Sequence, residues 1–157
     1  IRVTAQLNGG PRPVAPSVKE FIQRESSMGA HSIDTYQAMD KKLQDIKSQL
    51  TTLVREAKSK GQTIAGYGAS QSTTTLMYHF DLQDSLDFIV DDNPVKQGLY
   101  SPGCHIPVLT PKELYERHPD YVIVLAWRFS KSMIDQHQAY RDQGGRFIVP
   151  LPDVAVL

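Results

Sequence analysis

A glycine-containing turn between a predicted strand and a predicted helix constrains the fold of this 157-residue chain more than any other feature. A short apolar strand, residues 62–66, leads into the turn, and a helix over residues 73–80 follows it. Glycine lets the backbone turn tightly and approach a ligand closely, and the first N–H groups of a helix are available to an anion. Gln71 stands where the third glycine of a complete dinucleotide fingerprint belongs, so a tight turn without a ligand is the alternative. The candidate binding residues of the turn are Gly66, Tyr67, Gly68, Ala69 and Ser70.

Strands and helices are predicted to alternate from residue 62 onwards. The predicted strands are 62–66, 86–90, 105–109, 120–126 and 146–150. The helices between them are 73–80, a second that has Thr110 as its cap and Pro111 at its first position, and 130–143. This alternation is typical of parallel sheets with right-handed crossovers. We therefore predict an α/β fold, with a Rossmann-like parallel sheet of about five strands and flanking helices, preceded by a long N-terminal helical connector.

Two helices are predicted in the N-terminal part. The first begins at Pro16 and ends at Gly29, and the second is capped by Ser32 or Asp34 and stopped by Gly61. At 1.5 Å per residue the second helix is about 40 Å long. Its apolar residues alternate in spacing between three and four: Tyr36, Met39, Leu43, Ile46, Leu50, Leu53 and Ala57. Such a helix either packs along its own domain and reaches a neighbouring one, or forms a coiled coil that makes the protein a homodimer.

The first residues, Ile1 to Leu7, alternate in the manner of a strand. The Gly/Pro-rich residues 8–13 are its predicted exit loop. This single strand either joins the edge of the predicted sheet or is the last strand of a preceding domain. Because the chain starts in mid-pattern without Met or a leader segment, we expect it to be part of a longer protein.

A second candidate segment ends the predicted strand at residue 90. It contributes Asp91, Asp92, Asn93 and Lys96. An acidic residue at this position accepts hydrogen bonds from ribose hydroxyls in dinucleotide-binding folds, and a lysine can reach a phosphate. Because Asp and Asn also favour turns, a capped turn without a ligand is the alternative.

A third candidate segment follows the most buried predicted strand and contributes Trp127, Arg128 and Phe129. These side chains can stack on a base or sugar and clamp a phosphate. Hydrophobic capping of the sheet is the alternative. All three segments follow parallel strands, so they emerge at one edge of the sheet, where we expect a single ligand crevice.

Several functional classes are excluded by composition and spacing. Seventeen basic and seventeen acidic residues balance, which argues against binding to a nucleic-acid backbone. No apolar run approaches the roughly 20 residues of a membrane span. Cys104 is the single cysteine and the five histidines have no ligand spacing, so we predict no metal site. The lone thiol suits a reducing compartment, and we expect a cytoplasmic protein. We find no general base and predict no catalytic residue.

Several motifs occur in a characteristic order: G-Y-G-A-S at 66–70, D-F-I-V-D-D-N-P-V-K-Q-G at 87–98, S-P-G-C-H-I-P-V at 101–108, P-D-Y-V-I-V-L-A-W-R-F at 119–129 and G-G-R-F-I-V-P-L-P at 144–152. The series resembles the C-terminal domain of the S-adenosylmethionine-dependent C-methyltransferases, which include enzymes that methylate a carbon of a nucleotide-linked keto-sugar. Many members resemble G-A-x-A-K-G-N-T at the turn, whereas residues 71–74 here read Q-S-T-T. The hydroxyls of Ser72 and Thr73 and backbone N–H groups would replace the lysine's phosphate contact.

The resemblance implies a domain arrangement and a set of partners. Residues 1–61 would be the end of a methyltransferase domain followed by the helical connector, and residues 62–157 the Rossmann-like C-terminal domain. Zinc and S-adenosylmethionine would bind in the upstream domains, with no cofactor in this chain. Its partners would be the upstream methyltransferase domain and a nucleotide-linked small molecule.

The expected function is therefore positioning of a nucleotide-sugar substrate, with no chemistry by this chain alone. One alternative is a free-standing Rossmann module that binds a dinucleotide or a nucleotide-sugar. The other is a structural scaffold with an empty crevice.

Overall fold

The computed structural model describes residues 2–157. It contains two compact units, one ending at Lys41 and the other spanning Lys42–Leu157. Among the described residues, none of the helices has the length and hydrophobicity needed to cross a bilayer.

The helices are α1 (Pro16–Ser27), α2 (Ile33–Ser59), α3 (Gln71–His79), α4 (Glu113–Glu116), α5 (Ser130–Gln136) and α6 (Gln138–Asp142). The strands are β1 (Ile64–Tyr67), β2 (Phe88–Val90), β3 (Val108–Leu109), β4 (Tyr121–Val124), β5 (Arg146–Val149) and β6 (Ala155–Val156). A 3₁₀ turn (Trp127–Phe129) lies between β4 and α5.

The helix α1 forms where the sequence predicts it, with Pro16 at its first position and Gly29 just beyond its end at φ +69°. Residues 2–7 are exposed and form no strand, so the alternative in which they join the edge of this sheet is wrong, while Ile1 lies outside the described residues. A strand needs a neighbour to pair its backbone N–H and C=O groups. Within residues 2–157, no other segment pairs with this one.

The helix α2 is continuous, as predicted, and the hydroxyl of Ser32 accepts a hydrogen bond from the N–H of Asp34. Its buried residues differ from the predicted row at both ends. Tyr36 and Met39 are exposed and Leu43 is half-buried. Val54 is buried in place of Leu53, which is half-buried. A straight helix has 3.6 residues per turn, so a row spaced by 3.5 residues drifts around its surface. The buried residues of α2 are Ile46, Leu50, Val54 and Ala57.

The sheet has the order β3-β2-β1-β4-β5-β6, in which the first five strands are parallel and β6 is antiparallel. The predicted α/β fold is confirmed, and β6 is a strand that the sequence did not predict. From β1 the chain moves outwards to β2 and β3, then returns to the other side of β1 for β4. The order therefore reverses between β1 and β4, the place where open α/β sheets bind ligands.

Two core clusters cover the two faces of the sheet because side chains alternate along each strand. The first core cluster joins sheet residues such as Ile64 and Ile123 to the buried faces of α2 and α3. The second core cluster joins residues such as Tyr67 and Val122 to Leu114 of α4 and to side chains of α5 and α6. The arrangement leaves the carboxyl ends of the parallel strands between two helical layers.

Two predicted helices differ from the structure. The helix predicted over 130–143 is interrupted at His137, whose φ of −116° and ψ of 37° are not helical. The helix after Thr110 is only one turn long, and Thr110 accepts a bond from Glu113 through its backbone carbonyl and not its hydroxyl. The break at His137 brings a polar side chain into the second core cluster, as described below.

Candidate functional site

The turn after β1 is shaped by contact with the end of β4. Gly68 has a φ of +99°, a region that residues with a side chain rarely occupy. A Cβ atom at Gly68 would lie 2.5 Å from the Cβ of Ala126. The glycine is therefore required by the backbone conformation and by the neighbouring strand end, before any ligand is considered.

The amides of this turn are already engaged within the protein. The N–H of Gly68 donates to the carbonyl of Val90 over 2.8 Å, and the N–H of Ser70 donates to the hydroxyl of Thr73 over 2.9 Å. Between them, the N–H of Ala69 donates to Oδ2 of Asp91 over 2.6 Å. A ligand anion must therefore use other donors than these three.

Asp91 is a buried structural residue that is 7% exposed. Its Oδ2 lies 3.3 Å from Nζ of Lys96, and its Oδ1 accepts a bond from the N–H of Asn93 over 2.9 Å. Its backbone carbonyl accepts a further bond from the side-chain amide of Gln97. The carboxylate thus joins the turn after β1 to the loop after β2.

A cavity of about 370 Å³ opens beside this turn, on the face covered by α2 and α3. Ser70, Lys96 and other polar residues contribute to the lining, and most of its area is apolar. The size and mixed lining are those of small-molecule sites. The lining residues are Ala69, Ser70, Gln71, Thr73, Thr74, Ile89, Lys96, Leu99, Tyr100, Ser101, Pro102 and Val108.

Sequence reasoning did not identify Leu99, Tyr100, Ser101 and Pro102 as site residues, although the last two begin a motif of the family resemblance. They lie in the irregular segment between β2 and β3, which has no periodicity to indicate which side chains face a cavity. The signal available in the sequence was the length of this loop, because long loops between paired strands are often functional.

Trp127 and Arg128 line a different groove of about 610 Å³, together with Leu151, Pro152 and Asp153. The guanidinium of Arg128 lies 5.2 Å from the centre of the Trp127 ring. Phe129 is 67% exposed. The structure thus brings the first two candidate segments together around Asp91 and places Trp127 and Arg128 of the third, but not Phe129, in a neighbouring groove.

A buried hydrogen-bond network occupies the opposite face of the sheet. The hydroxyl of Tyr67 lies 2.9 Å from Oδ1 of Asp92 and 3.0 Å from Nε2 of His137. Nδ1 of His137 lies 2.8 Å from the hydroxyl of Tyr115. Burial raises the pKa of Tyr67, with a smaller contribution from the Asp92 hydrogen bond, and burial lowers the pKa of His137 against the charge of Asp92.

His137 and Tyr115 were not identified from the sequence, since nothing in the pattern of residues 130–143 indicates a break. Within the described part of the chain, no three His, Cys, Asp or Glu side chains are grouped so as to hold a metal ion. Cys104 is a free, half-buried thiol.

Comparison with known proteins agrees with the family resemblance. The family model described as the C-methyltransferase C-terminal domain matches residues 1–152. The chain is 34% identical over 145 residues to the C-methyltransferase NovU of Streptomyces niveus, an alignment that covers 92% of this chain. The same alignment covers 34% of NovU, so the chain corresponds to about a third of that relative's length.

Proposed function

This chain belongs to the family of C-methyltransferase C-terminal domains, and we propose that it binds and orients the nucleotide-linked substrate whose carbon is methylated. The parent reaction would remove a proton next to a carbonyl, after which the carbanion attacks the sulfonium methyl group of S-adenosylmethionine. The methyl donor and zinc would be held by other parts of the parent protein. Correct orientation of reactants is worth up to several kcal/mol of the barrier, and this is the contribution we assign to the chain.

The cavity beside α3 is the observation that supports this proposal. It lies at the carboxyl ends of parallel strands, and its lining is apolar over most of its area with polar side chains such as Ser70 and Lys96. A nucleotide has the matching chemistry, since its base has apolar faces and its diphosphate is anionic. Half-buried Lys96 is a cationic residue of the cavity lining, and its side chain remains partly accessible while paired with Asp91.

The phosphates would meet the first turn of α3. The N–H groups at positions 71 and 72 belong to that turn and have no partner within the helix. The hydroxyls of Ser70 and Ser72 lie 3.0 Å apart at the same helix end. The hydroxyl of Thr73 donates instead to the carbonyl of Gly68 over 2.6 Å, so of the two hydroxyls expected to replace the lysine's phosphate contact Ser72 is the one we propose, together with Ser70 and these amides.

The experiment is an NMR titration of the chain with the five common nucleoside diphosphates and their glucose esters. We expect the amide signals of Ser70, Lys96 and Tyr100 to shift together. The Lys96→Met variant keeps the aliphatic stem but removes the charge, and should weaken binding about tenfold or more. Lys112→Met is the matched control at an exposed lysine outside the cavity, and should bind as the unmodified chain does.

A titration in which no member of the panel moves these three signals would contradict the proposal. The scaffold hypothesis, with an empty cavity, would then account for the internally satisfied amides of the turn. Shifts at Trp127–Phe129 in a successful titration would show that the ligand extends into the neighbouring groove.

A further inference from the structure

The loop between β2 and β3 contains a short hairpin, residues 98–108, that contributes one wall of the cavity beside α3. The N–H of Gly98 donates to the carbonyl of Val108, and the N–H of Ser101 donates to the carbonyl of Ile106, each over 2.8 Å. The hydroxyl of Ser101 accepts a further bond from the N–H of Ile106 over 3.0 Å. The wall is therefore an ordered structure with paired backbone groups, although it belongs to no long strand or helix.

Two aromatic rings are stacked on the outside of this hairpin. Ser101 and Ile106 are buried, whereas the residues that precede them, Tyr100 and His105, are exposed. The ring centroids of Tyr100 and His105 are 4.7 Å apart and the ring planes differ by 14°, as in an offset stack. His105 covers one face of the Tyr100 ring, yet Tyr100 is still 58% exposed. The other face of the ring is consequently open.

His105 is held over Tyr100 by a tight turn at the tip of the hairpin. Its φ of +56° lies in the left-handed region, which is unfavourable for residues other than glycine. The N–H of His105 donates to the carbonyl of Ser101 over 3.1 Å, which fixes this conformation. The tip also packs on α3, because a Cβ atom at Gly103 would overlap the hydroxyl of Tyr78. The stacked pair is therefore carried by a hairpin that is fixed at its tip.

Tyr100 lines the same cavity as Ser70 and Lys96. The phosphates of the proposed ligand are assigned to Lys96 and the first turn of α3, which leaves its base without a partner. Among the lining residues that the structure describes, Tyr100 is the aromatic one. An aromatic ring offers a stacking surface to any nucleobase, since every base has a π face.

We infer that the base of the bound nucleotide stacks on Tyr100, and that His105 is a positioning residue that fixes the Tyr100 ring. This inference rests on the proposed function and names the residue that distinguishes a nucleotide from a phosphorylated sugar without a base. Stacking uses the face of the base and not its edge, so Tyr100 selects for the presence of a base and not for its identity. A ring already held by His105 loses less conformational freedom when the ligand binds.

The test compares two ligands that differ only in the base. We would measure Kd by calorimetry for the nucleoside diphosphate that binds most tightly and for ribose 5-diphosphate, which lacks the base. We expect the unmodified chain to bind the nucleotide about tenfold more tightly. Tyr100→Leu should abolish this base preference and leave the Kd of ribose 5-diphosphate unchanged, whereas Tyr100→Phe, which keeps the ring, should retain the preference.

Tyr36→Leu is the matched control, because Tyr36 is exposed and does not line the cavity, and it should retain the base preference. In the unmodified chain, intermolecular NOEs should connect the base protons with the ring protons of Tyr100. A bound base without these NOEs, or a Tyr100→Leu variant that retains the preference, would overturn the inference. An unmodified chain that binds both ligands equally would overturn it as well. Failure of every nucleotide to bind would instead contradict the proposed function itself.

The positioning role of His105 needs a readout that a purely structural role would not move. His105→Asn removes the ring and keeps a residue type that tolerates the left-handed conformation. It should weaken binding of the nucleotide, because the Tyr100 ring is no longer fixed, and leave the Kd of ribose 5-diphosphate unchanged. If His105→Asn weakens both ligands by the same factor, or changes neither, the positioning role is refuted.

Discussion

The backbone N–H of Ala69 donates a 2.6 Å hydrogen bond to the carboxylate of Asp91, which joins the turn after β1 to the loop after β2. A carboxylate of the protein therefore lies where a phosphate lies in many glycine-turn sites. A ligand that approaches this turn meets a negative charge partly balanced by Lys96. We therefore expect the determinants of the proposed binding to lie on the adjacent cavity wall and in the first turn of α3, and not in the turn itself.

Asp91 should contribute more to folding than an ordinary aspartate. Asp91→Ala removes the acceptor of two backbone N–H groups, and we expect a loss of about 2–3 kcal/mol in the free energy of unfolding. Denaturant unfolding measures it. Asp84→Ala, at an exposed site, should change stability by no more than about 0.5 kcal/mol. Equal midpoints for the two variants would show that the carboxylate is not structural.

Gly68 should be required for stability because of its contact with Ala126. Gly68→Ala places a Cβ 2.5 Å from the Cβ of Ala126 at a φ of +99°. The backbone conformation should cost about 1–2 kcal/mol and the overlap a further 1–3 kcal/mol. Gly144→Ala is the control for the backbone term, since Gly144 has a φ of +95° and no atom within 4 Å of the added Cβ.

The overlap term can be isolated with a double variant. Gly68→Ala combined with Ala126→Gly removes the facing Cβ, so the pair should be less destabilised than the sum of the two single variants. If the double variant loses as much stability as the two single variants together, the overlap in Gly68→Ala is relieved by another movement of the structure. We expect folded Gly68→Ala molecules still to bind ligand, because Gly68 makes its close contact with Ala126 at the end of β4.

The buried row of α2 can be tested with two leucines three residues apart. Leu50 is completely buried, and Leu53 is half-buried. Leu50→Ala should cost about 2–5 kcal/mol in unfolding free energy, and Leu53→Ala less than half as much. A coiled-coil interface that used both leucines would give similar losses and make the unfolding midpoint depend on protein concentration.

Much of the fold was predictable because local signals and packing agree. The run Val122–Val124 indicates a strand buried on both faces, and β4 indeed lies inside the sheet. The strand β6 has only two residues, Ala155 and Val156, which is too short for a periodic signal. Its pairing with β5 arises from the chain folding back on the sheet, which no local pattern encodes.

The position of the glycine turn in the sheet was predictable, but its internal bonding was not, and neither was the separate groove that Trp127 and Arg128 line. The turn at Gly68 was found at the correct sheet edge, since glycine placement reports backbone conformation. The hydrogen bonds from Ala69 to Asp91 and from Tyr67 to Asp92 depend on residues more than twenty positions apart. The interruption at His137 depends likewise on Tyr67 and Tyr115, and tertiary bonds prevailed there over helix propensity.

The environment of His137 predicts a particular dependence of stability on pH. Burial is the main cause that lowers the pKa of His137, and the Asp92 charge opposes it. Tyr67 and Tyr115 face the ring as neutral hydroxyls, and Asp92 is the charged group that the network brings near it. In the unfolded chain a histidine titrates near pH 6.5. Below that pH the unfolded chain therefore binds a proton that the folded chain does not.

Stability should accordingly fall as the pH is lowered from about 7.5 to 5.5, a range above the ordinary pKa of carboxyl groups. The slope is at most about 1.4 kcal/mol per pH unit for one proton. A protonated His137 would also lose Nδ1 as the acceptor for Tyr115. His137→Gln removes the titrating group, so its denaturation midpoints should depend less on pH, although the variant is less stable at pH 7.5. His31→Gln, at an exposed histidine, should retain the slope of the unmodified chain. If the denaturation midpoints of His137→Gln and of the unmodified chain depend on pH in the same way, the pH dependence of stability does not come from a neutral His137 in the folded state.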